Sequence, residues 1–472
     1  MPEENIYNPT LVELAQRKRI ELEQKALALE NELNQWFTKS EAKGRFEKHH
    51  TQIRAVRALL APWHVLVSEK LSQYTEQEDP EVFLGKCANA EKLILSEHRI
   101  WDFFRGKFVQ RSDDTFNRFL KIADEFAWAC YEPVQKAVFP DETNARRKEP
   151  PLVFFNGSVS PFSLSRDRAF QPEIVAGETI NLDSDTVGKL PIPVIGVPWH
   201  QINYLPEALV IGHEVGHIIE NDFGLTKSLR QHLSDALDNA GANERKDAWL
   251  CWLSEIFADL YGCLSSGAAF AGTLIDFLIK KNETISSEQK NAANWGRYPT
   301  DYLRIRIVLR ALEELRFNDE ITNYRTLWAS YSSNMPEGFT NDIEHIVPAL
   351  LNGKHQTLRN KSVLQIFSFS KRQQSDAVRT VGTLRSTNAD TYFEMPTRDI
   401  RVLLAALRMA FEESPARYAN DGYGKTVLEH METKVLLPGT RNGEPVLSAK
   451  QLENKSKSYQ QTGDDLLKTL NL

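Results

Sequence analysis

Two short stretches of this chain hold the residues best suited to chemistry. In VIGHEVGHIIEND, residues 210–222, two histidines stand four apart with a glutamate directly after the first: His213, Glu214 and His217. On a helix a four-residue step is about one turn, so both imidazoles leave one face and can reach a single cation. From its place beside the first histidine, Glu214 can take a proton from a water on that cation without ligating it. This is an equipment for metal-assisted hydrolysis. The bland alternative is a partly buried helix whose two histidines have ordinary hydrogen-bond partners, and a third ligand is what separates the two.

The candidate third ligand lies downstream. NERKDAWLCWLSEIFADLYGCLSSG, residues 243–267, reads as one helix, and Glu255 and Asp259 stand one turn apart on it among Trp252, Leu253, Ile256, Phe257 and Leu260. Carboxylates on an apolar helix are costly to bury unless paired or metal-bound. Glu255 would complete a His/His/Glu set for zinc, and Asp259 would accept a hydrogen bond from a ligand imidazole and fix its tautomer. Without a metal, both acids would simply face water.

HEVGH followed by Glu255-Ile-Phe-Ala258-Asp259 resembles the gluzincin metallopeptidases, closest to the group of CAAX prenyl proteases and HtpX. That group carries a later H-P-x-x-x-x-R element. This chain has Tyr298-Pro299-Thr300-Asp301-Tyr302-Leu303-Arg304, which keeps the proline and arginine and replaces the histidine with Tyr298. The resemblance spans about residues 150–315. It implies a zincin-like catalytic core, a zinc ion held by His213, His217 and Glu255, and Glu214 as general base. It also implies that Tyr298 donates to the oxyanion and that Arg304 orients the neighbouring acids. Tyr261 is an alternative oxyanion donor. The membrane spans of the prenyl protease group are not evident, and the first 140 residues have no counterpart there.

The elements that must position these residues are largely helical. Pro206 suits a first turn, and Gly224 can end the metal helix. Residues 1–145 form a helical region, with helices expected near 11–37, 41–74, 81–105 and 114–138 and a kink or break at Pro62. Its reading is packing, with a protein-binding role as the alternative. The run 140–150 reads as a linker. PLVFFNG, PFSLSRD and LPIPVIGVPW are strand signals, and the SPFSLSRD or LPIPVIGVP run could offer an edge to an extended peptide. The core of 150–315 is followed by a helical part, 316–430, whose clearest amphipathic helix is 398–415, and by a polar, loosely held tail, 431–472. The fold class is α+β, mainly α, with a small mixed sheet.

Composition narrows the rest. A formal charge of -7 argues against nucleic acid as the main partner. Four cysteines without a CxxC pair argue for reduced thiols and a cytoplasmic setting, and the N-terminus shows no basic start before an apolar run. Residues 260–279 carry one charge, Asp276, yet their glycines and serines favour a buried helix, a break near Gly267 and a second helix over a membrane span. Cys251 and Cys263, one turn either side of the acids, read as small buried residues rather than a zinc-blocking switch. His200 reads as a loop histidine, His345 could approach the cleft, and His49, His50 and His64 are expected to be solvated. The expected function is a zinc endopeptidase acting on intracellular protein or peptide substrates. The alternatives are a zinc-stabilised interaction scaffold with weak or no catalysis, and a zinc hydrolase of a non-peptide bond.

Overall fold

The structure is a computed structural model that describes residues 10–42, 44–72, 79–141, 147–166, 190–202, 204–279, 295–329, 337–386, 395–437, 440–441, 444–445 and 449–469. The N-terminal helices are α1 (Leu11–Glu41), α2 (His50–Ser72), α3 (Pro80–Phe108) and α4 (Asp114–Val138). Local chemistry sets their starts. Thr10 and Glu13 form a reciprocal capping box on α1, Asp79 caps α3 ahead of Pro80, and Asp113 caps α4. Pro62 lies inside α2, and the helix runs on through it.

Three strands follow: β1 (Leu152–Asn156), β2 (Phe162–Leu164) and β3 (Val194–Pro198), in the order β1-β3-β2. β1 runs parallel to β3 and β2 antiparallel to it, so the sheet is mixed and β2 is an edge. The sheet is a partition between two cores. Leu152, Phe154 and Val194 join Leu29, Trp63 and Trp101 of α1–α3. The alternate residues Val153, Phe155, Ile195 and Val197 join the larger core, which is built with α4 and the elements from Leu205 to Leu436. Two covered faces explain why β1 and β3 read as continuous apolar runs. α4 contributes Phe119, Phe126 and Tyr131 to the larger core, so that core reaches back across position 145.

Several expectations for this half are corrected. His49 and His50 are buried, and the side chain of His64 is largely so, rather than solvated. His49 Nε2 accepts from Arg111 Nε at 2.8 Å, and Arg111 Nη2 donates to Asp124 Oδ2 at 2.6 Å and to the Val153 carbonyl at 2.7 Å. This buried network fastens the helices to β1. In the expected linker, positions 142–146 lie outside the described residues, but Arg147 and Glu149 are buried.

His64 faces a buried acid. Glu97 is fully buried, its carboxylate oxygens make no hydrogen bond among the described residues, and His64 Nδ1 lies 3.3 Å away without bonding geometry. Burial, then the nearby charge of Glu30, pushes Glu97 up to about 9. A carboxyl raised in the fold stabilises fully below its unfolded value, near 4.5, and loses that contribution as pH rises toward 9. The native state should therefore weaken from pH 5 to pH 8. Glu97→Gln should flatten this slope and stabilise the chain at pH 7 by about 2 kcal/mol, read from denaturant midpoints.

The larger core continues with α5 (Val210–Asp222), α6 (Thr226–Asn239), α7 (Lys246–Ser266), α8 (Ala268–Leu278), α9 (Asp301–Glu314), α10 (Thr322–Ala329), α11 (Glu337–Asn352), α12 (Lys371–Ser386), α13 (Ile400–Glu413) and α14 (Tyr423–His430), with shorter turns between. Pro206 sits in a separate 3-10 turn, Leu205–Glu207, rather than in the first turn of α5. The break expected in 260–279 falls at Gly267, whose φ of +61° is the left-handed conformation glycine tolerates. No helix among the described residues is long and apolar enough to cross a membrane. The buried face of α13 holds Val402, Leu403, Ala406, Leu407 and Ala410, as its periodicity implies. Arg401 of the same helix donates to the carbonyls of Ser265 and Leu264 at 2.7 and 2.8 Å, closing the C-terminal end of α7. The expected loose tail is instead a helix, α15 (Ala449–Thr469), packed along α2, where Trp63 Nε1 donates to the Gly463 carbonyl at 3.3 Å.

Candidate metal centre

α5 and α7 pack side by side because one face of α5 is stripped of side chains. A Cβ at Gly216 would stand 2.9 Å from Ala258 Cα and 2.8 Å from Tyr261 Cβ, and one at Gly212 would stand 2.3 Å from Ser265 Oγ. Only glycine permits this approach, and the approach brings the two helices' candidate ligands together. Gly216→Val should push them apart, costing at least about 2 kcal/mol by overpacking and abolishing metal uptake. Metal content and unfolding midpoints of the purified variant check this. Far from the ligands themselves, α5 is held at its end. Asp222 accepts from Tyr131 Oη at 2.6 Å and from Arg166 Nε at 3.1 Å.

The ligand atoms converge. His213 Nε2 and His217 Nε2 each lie 3.5 Å from the same oxygen, Glu255 Oε2, and all three donor atoms lie within 4.8 Å of one another. Tetrahedral bonds of about 2.0–2.1 Å place ligand atoms about 3.4 Å apart, so a zinc-sized ion fits this set. All three residues sit on helices, with Glu255 buried.

The remaining ring nitrogens are fixed by acceptors. His213 Nδ1 lies 2.8 Å from Asp259 Oδ1, an atom of a group that only accepts. His217 Nδ1 lies 3.1 Å from Ser254 Oγ, which spends its own proton on Glu220 Oε2 at 2.7 Å. Both imidazoles thus carry a proton on Nδ1 and turn Nε2 toward Glu255. Asp259 is itself clamped by Arg304, Nε to Oδ2 at 2.8 Å and Nη2 to Oδ1 at 2.7 Å. Burial would raise the Asp259 carboxyl, but the Arg304 guanidinium outweighs it and holds the group below the usual range. Burial likewise opposes charge on His213, and hydrogen bonds to Asp259 and Glu255 outweigh it, lifting the imidazole to about 9. A cation at Nε2 displaces that proton.

The site opens on a cleft of about 460 Å³, and Glu214 lines it beside His213 and His217 without belonging to the ligand group. One wall is β2, through Phe162, Ser163 and Leu164; another is one face of α8, through Phe270, Leu274 and Phe277. Tyr298 and Arg304 line it as well, with Tyr298 about half exposed. Burial, then the negative charge of Glu255, pushes the Tyr298 phenol above its usual value, so it keeps its proton.

Comparison with protein families, with curated proteins and with solved structures finds nothing that matches this chain. The geometry of the site is therefore what bears on function.

Some expectations for the site are corrected. Tyr261 cannot serve the cleft, since it is buried and its hydroxyl donates to the Cys130 carbonyl at 2.7 Å. Cys251 is exposed, not buried, while Cys263 is buried. His345 lies exposed on α11 and is absent from the cleft lining. His200 is, as expected, a loop histidine, exposed in a short turn after β3. Three participants escape the sequence reading. Arg297 Nε donates to Glu255 Oε1 at 2.9 Å, leaving Oε2 to the imidazoles. Ser254 and Glu220 orient His217. The only prior signal was position: Arg297 precedes Tyr298, Ser254 precedes Glu255, and Glu220 lies a turn after His217.

Proposed function

We propose that this chain is a zinc-dependent endopeptidase with a zincin-like core, acting on extended segments of protein substrates. The observation that carries the reading is the meeting of His213 Nε2, His217 Nε2 and Glu255 Oε2 at one point, beside Glu214 and inside a cleft. Zinc held by those three residues would supply a Lewis acid and a water whose pKa is lowered toward about 7.

The protein's own groups do the rest. Glu214 accepts a proton from the attacking water and returns it to the leaving amine. Asp259 and Ser254 keep the imidazoles in the tautomer that binds metal, and Arg304 keeps Asp259 charged. Arg297 holds the far oxygen of Glu255. The Tyr298 hydroxyl donates to the oxygen on which charge develops. β2 pairs with β3 along one side only among the described residues, so its other edge can take a substrate strand through main-chain hydrogen bonds. The α8 face of Phe270, Leu274 and Phe277 favours an apolar substrate side chain next to the cut bond.

The test is cleavage of an unfolded protein and of a mixed peptide library by purified chain. Activity should vanish on chelation and return with about one zinc per chain. Tyr298→Phe should lose activity by about 10–100-fold with zinc retained, the scale of one oxyanion donor or less. A fully zinc-loaded chain that cuts neither substrate would favour the scaffold reading instead.

A further inference from the structure

The segment between α8 and α9 brings to the metal cleft a guanidinium whose outer side has no partner. Arg297 Nε donates to Glu255 Oε1 at 2.9 Å, while Nη1 and Nη2 make no hydrogen bond among the described residues. The side chain is 61% exposed and lines the cleft. We propose that Arg297 selects substrates, a role that rests on the hydrolase reading: Nη1 and Nη2 donate to the carboxylate of an aspartate or glutamate side chain within about two residues of the bond that is cut.

Three observations carry the assignment. The first is orientation. A guanidinium offers several N–H donors in one rigid plane, and Glu255 takes only the one on Nε. Arg297 Cζ also stands 5.3 Å from the centroid of the Tyr298 ring, so the plane is held on two sides. The Nη pair is left as a fork whose spacing matches a carboxylate.

The second is reach. Glu255 Oε2, the other oxygen of the carboxylate that Arg297 holds, lies 3.5 Å from both imidazole Nε2 atoms. The guanidinium therefore stands one carboxyl group away from the point where the candidate ligand atoms meet. An extended chain advances about 3.3 Å per residue, so a side chain next to the scissile bond, or one residue further, comes within its range.

The third is charge. Arg304, the other arginine of the lining, is buried, and Asp259 matches its charge. The acids of the lining are Glu214 and Glu255, and the proposed reaction uses both. With a doubly charged ion on His213, His217 and Glu255, positive charge exceeds negative around the cleft even when Asp259 is counted. An acidic side chain gains from this field and a lysine is repelled by it.

The test uses short acetylated peptide amides with one leucine for the α8 face and glutamate, glutamine or lysine at each neighbouring position in turn. A further set has no acidic side chain and a free C-terminus. Binding to the zinc-loaded Glu214→Gln chain is read by calorimetry, and cleavage by the unaltered chain as kcat/KM. Next to the cut bond, glutamate should exceed glutamine by about tenfold or more in both readouts, with lysine weakest. Arg297→Gln should bring that ratio close to one. The ratio is blind to any general loss caused by freeing Glu255, so a purely structural role for Arg297 would leave it unmoved. A ratio near one in the unaltered chain, a ratio that survives in Arg297→Gln, or a preference confined to the free C-terminus would each overturn the assignment. Acid-selective binding without cleavage would sustain this role for Arg297 and refute the hydrolase reading; cleavage without acid preference would do the reverse.

Discussion

On the proposed hydrolase reading, Glu214→Gln should bind zinc as the unaltered chain does and lose peptide cleavage by about a thousandfold, within the range general base catalysis supplies and equal to about 4 kcal/mol of transition-state stabilisation. The amide is nearly isosteric with the carboxylate, and Glu214 lies outside the ligand group, so the ion should stay. The amide cannot accept the proton of the attacking water, so the chemical step should fail. Metal analysis and single-turnover cleavage are read on the same preparation. Loss of zinc would make Glu214 a ligand; undiminished turnover would remove it from the mechanism.

Asp259→Ala should be the most damaging change to the fold. Asp259 is fully buried and carries two hydrogen bonds from Arg304, which is itself 7% exposed. Removing the carboxylate strands a buried guanidinium and should cost about 3–5 kcal/mol. It also frees His213 Nδ1 from its acceptor and should weaken zinc by about 10–100-fold. The two effects can be separated. An Asp259→Leu, Arg304→Met double variant leaves no charge stranded and should recover most of the lost stability. It should not recover the metal affinity, because His213 still lacks its partner. Denaturant midpoints and zinc competition titrations distinguish the outcomes; a double variant as unstable as Asp259→Ala would mean that the pair's role lies elsewhere.

Residues that act within one element could be assigned from the chain alone. His213 and His217 share a face because a helix repeats in about one turn, and the caps Thr10, Asp79 and Asp113 act within three residues of themselves. The strands at Leu152–Asn156, Phe162–Leu164 and Val194–Pro198 coincide with the apolar runs that mark them, and the break at Gly267 with the glycine. Gly212 and Gly216 also stand four apart in the chain, but the meaning of that spacing depends on what lies opposite them.

Where two elements meet, the chain was mute or misleading. His49, His50 and His64 sit among charges in sequence, yet tertiary packing turns them inward; Tyr261, near the metal acids in sequence, has its hydroxyl drawn off to Cys130. The polar tail becomes a helix on α2, and Arg297 reaches Glu255 from a separate segment.

What the sequence determined by itself is the inventory: two imidazoles and a carboxylate on one helix, two carboxylates on another, three short strands and a mainly helical chain. Tertiary structure alone decided that Glu255 faces His213 and His217, that Asp259 is held between an imidazole and a guanidinium, that the sheet divides two cores, and that one face of α8 walls the metal cleft. Periodicity, caps and turns are written in neighbouring residues and follow from backbone geometry. Which face meets which depends on side chains far apart in the chain finding a packing that pairs most buried charge and closes most of the space between elements.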